Sequence, residues 1–212
     1  MDQELSSKRP RCDQFARWAP HYENGEVFSQ LLLDLRGRAA VRLRLAPHDR
    51  FLDVGCATGA AVRDAAAMVE LAIGVDASPA MIEQAQALAR VRPRAEFVVA
   101  DALNLPFPAK SFSAVLCTTA LRHFTDANHA AAEMVRVLTP AGRIVVADFL
   151  EAEPRRSPRW LRARAAQASA GPLVAVSGTG VSIVQLMECA TAIGRYMIVV
   201  AAKSKACTGT LA

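Results

Sequence analysis

No stretch of eighteen or more apolar residues occurs in the 212-residue sequence, so no segment reads as a membrane-spanning helix. The first residues, Met1 to Arg11, are polar and lack the apolar centre of a secretory signal, which makes the cytoplasm the expected compartment. Cys12, Cys56, Cys117, Cys189 and Cys207 are odd in number and form no C-x-x-C pair. That pattern argues against a disulfide framework or a zinc site, and no metal is expected. Aromatic residues are scarce at 6%, and the densest basic group, Arg155, Arg156, Arg159, Arg162 and Arg164, contains only Trp160 among them. Nucleic-acid surfaces interleave aromatics for stacking, so the net charge of +5 reads as a solvated helical face, and no nucleic-acid partner is expected. Two glycine signatures are also missing. A dinucleotide loop reads G-x-G-x-x-G, but after Gly55 its second and third glycine positions are Ala57 and Ala60. A phosphate cradle needs a Lys after its last glycine, and none follows Gly59.

What is present is an α/β rhythm. Hydrophobic residues make up 52% of the chain and charged residues 21%, a globular composition of one-domain size. Short β-branched runs at 50–54, 71–75, 96–99, 114–117 and 143–148 alternate with Ala-rich helical stretches at 60–68, from Pro79 onward, and at 128–137. Ser78 is placed to cap the second of these helices, with Pro79 at its first position, and Met81, Ile82, Ala85, Leu88 and Ala89 form its apolar stripe. Thr139 to Gly142 reads as a stop after the third helix. An Arg-rich helix and a Gly-containing loop from Gly171 to Gly180 follow, and runs at 181–187 and 196–202 are close enough to pair as a hairpin. The expected fold is a Rossmann-like, seven-stranded, mostly parallel sheet with a C-terminal antiparallel hairpin and helices on both faces. Residues 1–45 form a helical cap or lid carrying Phe28, Leu31, Leu32 and Leu35 at helical spacing, 46–205 the ligand-binding domain, and 206–212 a tail.

In open α/β sheets ligands bind at the carboxyl ends of strands, where strand order reverses. Asp53 lies in the first strand, Asp76 ends the second and Asp101 follows the third, with a turn of Gly55-Cys56-Ala57-Thr58-Gly59 between the first strand and its helix. An acid at the end of the second strand is placed to bind ribose hydroxyls. Asp101 is placed to accept from an adenine amine, beside a backbone N–H that reads a ring nitrogen. A glycine turn without a phosphate signature fits a nucleoside without phosphates, and Asp53 beneath it suits an ammonium group.

These segments resemble the class I S-adenosylmethionine (SAM) dependent methyltransferases. Phe51-Leu52-Asp53-Val54-Gly55-Cys56-Ala57-Thr58-Gly59 is similar to their motif I, and Gly74-Val75-Asp76-Ala77-Ser78-Pro79-Ala80-Met81 to the acidic loop that follows. Asp101 to Phe107 with Ser111-Phe112 resembles D-A-x-x-L-P-F-x-x-x-S-F, and Glu133 to Arg143 resembles E-x-x-R-V-L-K-P-G-G-R. Phe15 to Tyr22 is similar to the F-D-x-x-A-x-x-Y start of the small-molecule branch related to ubiquinone and menaquinone C-methyltransferases (methyltransferase type 11). The likeness spans about residues 15–150 and extends loosely into the hairpin.

The resemblance implies an enzyme that moves a methyl group from SAM to an O, N or C nucleophile of a small molecule. It implies a cofactor site of Tyr22, Asp53, Gly55, Cys56, Ala57, Gly59, Asp76 and Ala77, continuing through Met81, Asp101, Ala102, Leu103, Cys117 and Thr118. His123, after the fourth strand, is the candidate general base by position, with pocket shaping as its other role, while His48 and His129 read as surface residues. The chain departs from the family pattern at Ala57, Ser113 and Ala141, where Gly, Asp and Gly are usual. Ser113 and Ala57 keep in view a degenerate fold that binds SAM or a partner without catalysis, and an RNA or DNA methyltransferase is a second alternative. Thr118-Thr119-Ala120-Leu121 stands where the latter's N-P-P-[YF] would be.

Overall fold

Near-continuous apolar runs end up buried on both faces of one sheet, as parallel strands covered by helices require. The computed structural model describes residues 15–23, 26–90, 94–152, 181–191 and 194–203. The strands are β1 (Arg50–Val54), β2 (Leu71–Asp76), β3 (Ala95–Val99), β4 (Phe112–Thr118), β5 (Leu138–Ala152), β6 (Ser182–Thr191) and β7 (Gly194–Ala202). They form a seven-stranded sheet in the order β3-β2-β1-β4-β5-β7-β6. Strands β1 to β5 run parallel, β7 pairs antiparallel with β5, and β6 pairs antiparallel with β7. The order reverses between β1 and β4, so the crevice expected for a ligand opens beyond Val54 and Thr118.

The described helices are α1 (Glu26–Leu43), α2 (Ala60–Ala65), α3 (Pro79–Leu88) and α4 (Ala127–Val137). Side chains at Leu35, Ala39 and Leu43 fall on one stripe of α1 and share a buried cluster with Ala61, Val62 and Ala65 of α2, Ile82 of α3, and Phe51, Leu116 and Val145 from the sheet. The opposite face packs Leu52, Val54, Val115 and Ile144 against Ala130, Ala131, Met134 and Val137 of α4. The Ser78 hydroxyl accepts from the Met81 N–H at 3.4 Å with Pro79 at the first helical position, and Asp126 caps α4 by accepting from the His129 N–H. Helix α1 therefore shares its core with the sheet.

Several elements differ from the expectation, and three of the differences have a clear physical reason. Helix α2 ends at Ala65, three residues early, because Ala61, Val62 and Ala65 complete its buried face and Met68 is turned out to solvent. The stripe on α3 holds at Met81, Ile82, Ala85 and Ala89 but skips Leu88, which is exposed. Strand β5 begins at Leu138 and runs through Thr139–Gly142, the stretch expected to be a stop. Leu138 pairs with Phe112 across a bulge, Ala141 takes a left-handed φ of 63°, and its N–H reaches the Lys203 carbonyl. The Arg-rich helix, the Gly171–Gly180 loop and the tail lie outside the described residues, as do the side chains of Phe28, Leu31 and Leu32.

Candidate functional site

A strand that must turn back into a helix within five residues needs backbone angles that most side chains resist. The turn after β1 supplies them at Gly55 (φ 77°), Ala57 (φ 49°) and Gly59 (φ 78°). A Cβ on Gly55 would stand 2.3 Å from the Ala120 Cβ, and one on Gly59 2.2 Å from the Phe97 ring, so both positions require glycine. Ala57 adopts the geometry of the glycine it replaces, which costs a non-glycine residue about 1 kcal/mol. On the far side of the crevice Thr119, a β-branched residue, is also left-handed at φ 55°. Strain on both walls of one crevice is a mark of a functional site.

Between these walls lies an open cavity of about 200 Å³. Of the expected cofactor residues, Tyr22, Asp53, Gly55, Cys56, Ala57 and Thr118 line it. Sequence reasoning missed Glu23, Leu33, Arg36, Thr58, Ala60, Ala61 and Thr119, which line it too. Asp53 is the electrostatic centre. Its side chain is buried and its Oδ1 has no hydrogen-bond partner among the described residues. Burial pushes its carboxyl up to about 7, with Arg36 pulling down and Asp76 adding to the rise.

Asp76 receives the Ala57 N–H on one oxygen at 3.0 Å and the Ser78 N–H on the other at 2.9 Å, which aims the carboxylate along the rim of the turn. Burial raises its carboxyl above the ordinary range, against the pull of those two N–H groups. Asp101 is exposed and accepts the Leu103 N–H at 3.0 Å, beside buried Ala102. Gly59, Asp76, Ala77, Met81, Asp101, Ala102, Leu103 and Cys117 do not line the cavity. Met81 and Cys117 are fully buried and Ala77 is exposed.

The segment before α1 crosses this edge of the sheet. Phe15 meets the ring of His123 edge-on at 5.2 Å, and Trp18 meets Phe15 at 5.8 Å. The 3-10 turn Ala19–His21 packs against α3, and Tyr22 and Glu23 reach the cavity. His21 is exposed, as are His48 and His129. His123 sits in the 3-10 turn Leu121–His123 after β4, outside the cavity wall. Its neighbour Arg122 is buried in an ion pair with Asp148, with its guanidinium 5.0 Å over the Phe149 ring. The pairing of Arg122 with Asp148 of β5 had no signal in the sequence.

Of the departures, Ser113 lies at the opposite end of the sheet, where its hydroxyl donates to Asp49 at 2.6 Å and accepts the Arg50 N–H. It is remote from the crevice and fully engaged. Among the described residues no group of three or more His, Cys, Asp or Glu is placed to hold a metal, and no helix is long and apolar enough to cross a membrane.

Residues 52–146, which run from β1 into β5 and include both walls of the crevice, match the family described as Methyltransferase domain. That match takes in 95 of the 212 residues and is a likeness to the family over the β1–β5 segment. The chain is 36% identical over 143 residues to a demethylmenaquinone methyltransferase of Deinococcus radiodurans, covering 65% of this chain and 59% of that protein. A 27-O-demethylrifamycin SV methyltransferase of Amycolatopsis mediterranei is 38% identical over 120 residues, covering 55% and 44%. The chain thus spans between 44% and 59% of the length of these two relatives. Its fold matches a SAM-dependent methyltransferase from Aquifex aeolicus with a TM-score of 0.67 at 16% identity, over 80% of this chain and 91% of that one.

Proposed function

We propose that the chain binds SAM in the β1/β4 crevice and transfers its methyl group to an O, N or C nucleophile of a small molecule. The observation that carries this reading is the unpartnered, buried Oδ1 of Asp53 facing a cavity that also holds Arg36. A carboxylate with an unmet lone pair beside a guanidinium suits a ligand with an ammonium and a carboxylate, the amino-acid end of SAM. The strained turn brings backbone close to the ligand without offering a phosphate cradle, and Asp76, held by two N–H groups at its rim, is placed for ribose hydroxyls. Asp101 and the backbone of Ala102 stand further along the same edge, where an adenine would reach.

SAM supplies an electrophilic methyl group on a sulfonium, so the protein's share is orientation and exclusion of water. Asp53 and Arg36 fix one end of the ligand, Asp76 the other, and the segment carrying Tyr22 covers it. His123 packs edge-on against Phe15 of the covering segment, and it serves as general base if the acceptor must lose a proton. The two relatives act on chemically different acceptors, as their names state, and the family alone does not choose between them.

Calorimetric titration tests the reading. S-adenosylhomocysteine and SAM bind while NAD does not, and His123→Ala lowers turnover by about 10²–10⁴-fold with little change in cofactor affinity. NAD binding with no S-adenosylhomocysteine binding would overturn it.

A further inference from the structure

Glu23 is the last described residue before α1, and its carboxylate is the meeting point of two elements otherwise far apart in sequence. The Thr58 hydroxyl donates to Glu23 Oε1 at 2.5 Å, and Arg63 Nη2 approaches Oε1 at 2.8 Å and Oε2 at 2.9 Å. Arg63 Nη1 donates to the Thr58 carbonyl at 2.5 Å, which closes the network on itself. Thr58 belongs to the strained turn that forms the floor of the cavity, and Arg63 to the helix that the turn starts.

The same segment spans the whole crevice. It touches His123 beyond β4 through Phe15, α3 beyond β2 through its 3-10 turn, and the turn after β1 through Glu23. Glu23 and Tyr22 are themselves part of the cavity wall, and α1, starting at Glu26, carries Leu33 and Arg36 into that wall. A ligand seated in the cavity is bordered by this strap at Tyr22, and the Glu23 carboxylate ties the strap to the turn at this end.

We propose that Glu23, through Thr58 and Arg63, is the latch that holds the N-terminal strap over the cofactor cavity and sets how fast the cofactor exchanges. This rests on the cavity being the SAM site. Glu23 is a positioning residue: it touches neither reacting atom, and it acts through Tyr22 and the N-terminal end of α1. The pair is partly open to water, with side chains 35% and 16% exposed, so its contribution is modest and weakens with salt.

Release of labelled S-adenosylhomocysteine from the full chain measures the latch directly. Glu23→Gln and Arg63→Gln each speed release about ten-fold, the scale of losing one charge-assisted contact that is partly screened. The double variant releases no faster than either single, because both remove the same tie. The unfolding midpoint stays at the wild-type value, which a merely structural role would shift. In the ligand-bound protein trypsin also cuts sooner after exposed Arg17 in the variants than in the wild type. Wild-type release rates in both singles, or singles whose effects multiply in the double, would overturn the latch alone. Failure of the wild type to bind S-adenosylhomocysteine would overturn the site reading and the latch with it.

Discussion

The two ends of β1 carry two buried aspartates that are treated in opposite ways. Asp49, just before the strand, is 1% exposed and Asp53, within it, is 3% exposed. Asp49 accepts the Ser113 hydroxyl at 2.6 Å, the Ala46 N–H at 2.8 Å and the Arg143 guanidinium at 2.5 Å. Burial pushes its carboxyl up, but those bonds outweigh burial and hold it below the ordinary range. Asp53 has an oxygen with no partner among the described residues, and its carboxyl rises to about 7. One end of the sheet is electrostatically closed and supports the fold. The other is left open and strained at Ala57 and Thr119, which suits the charged ligand proposed for it.

The largest expected effect comes from opening the closed end. Asp49→Ala leaves Arg143 and Ser113 without their partner and lowers unfolding stability by about 2–4 kcal/mol in denaturant titration at pH 7. The loss shrinks in acid: a carboxyl held below its unfolded value stabilises the fold only above that value, and its contribution disappears as pH falls below about 4. Equal losses at pH 7 and pH 3 would contradict the closed-end account.

Next in size is Gly59→Ala, which forces a Cβ against the Phe97 ring at a left-handed φ and costs about 2–3 kcal/mol of stability. Asp76→Ala acts on the ligand instead, weakening S-adenosylhomocysteine binding by about 1.5–3 kcal/mol in calorimetry. Unchanged affinity in the folded variant would remove Asp76 from the ribose. The smallest effect is Ala57→Gly. Relief of left-handed strain nearly offsets the entropy of a freer unfolded chain, so the unfolding free energy moves by less than about 1 kcal/mol. A loss of several kcal/mol there would mean that the alanine methyl makes contacts the cavity does not show.

Legibility in the sequence follows the same division. Strands β1 to β4 and helices α3 and α4 are readable because burial on two faces writes apolar runs and because Ser78-Pro79 is a local signal. The places of Asp53, Asp76 and the glycine turn are readable because each is fixed by a strand end. Arg36, Glu23 and Arg63 are not, since which face of a helix meets a turn tens of residues away is decided by packing. Ser113 looks like a defect in the motif until Asp49 is seen beside it. The β5 bulge is unreadable for a similar reason: Ala141 is held by Lys203, sixty residues later.

The central claim is that Asp53 is kept unpaired for the ammonium of the ligand, and the pH dependence of binding tests it most directly. In the ligand-free protein Asp53 binds a proton below about 7. This raised value costs stability progressively from about pH 4 upward and in full above 7, so Asp53→Asn leaves the empty protein as stable as wild type or more so at pH 8. A cationic ammonium selects the ionised carboxylate, so S-adenosylhomocysteine binding releases a proton and strengthens as pH rises from 6 to 7.5, approaching ten-fold per unit at the acid end. Titration calorimetry of wild type and Asp53→Asn at pH 6 and pH 8 is the measurement. The account predicts tighter wild-type binding at pH 8, and much weaker binding without that pH dependence in the variant. Equal affinity of the two proteins at both pH values would contradict it.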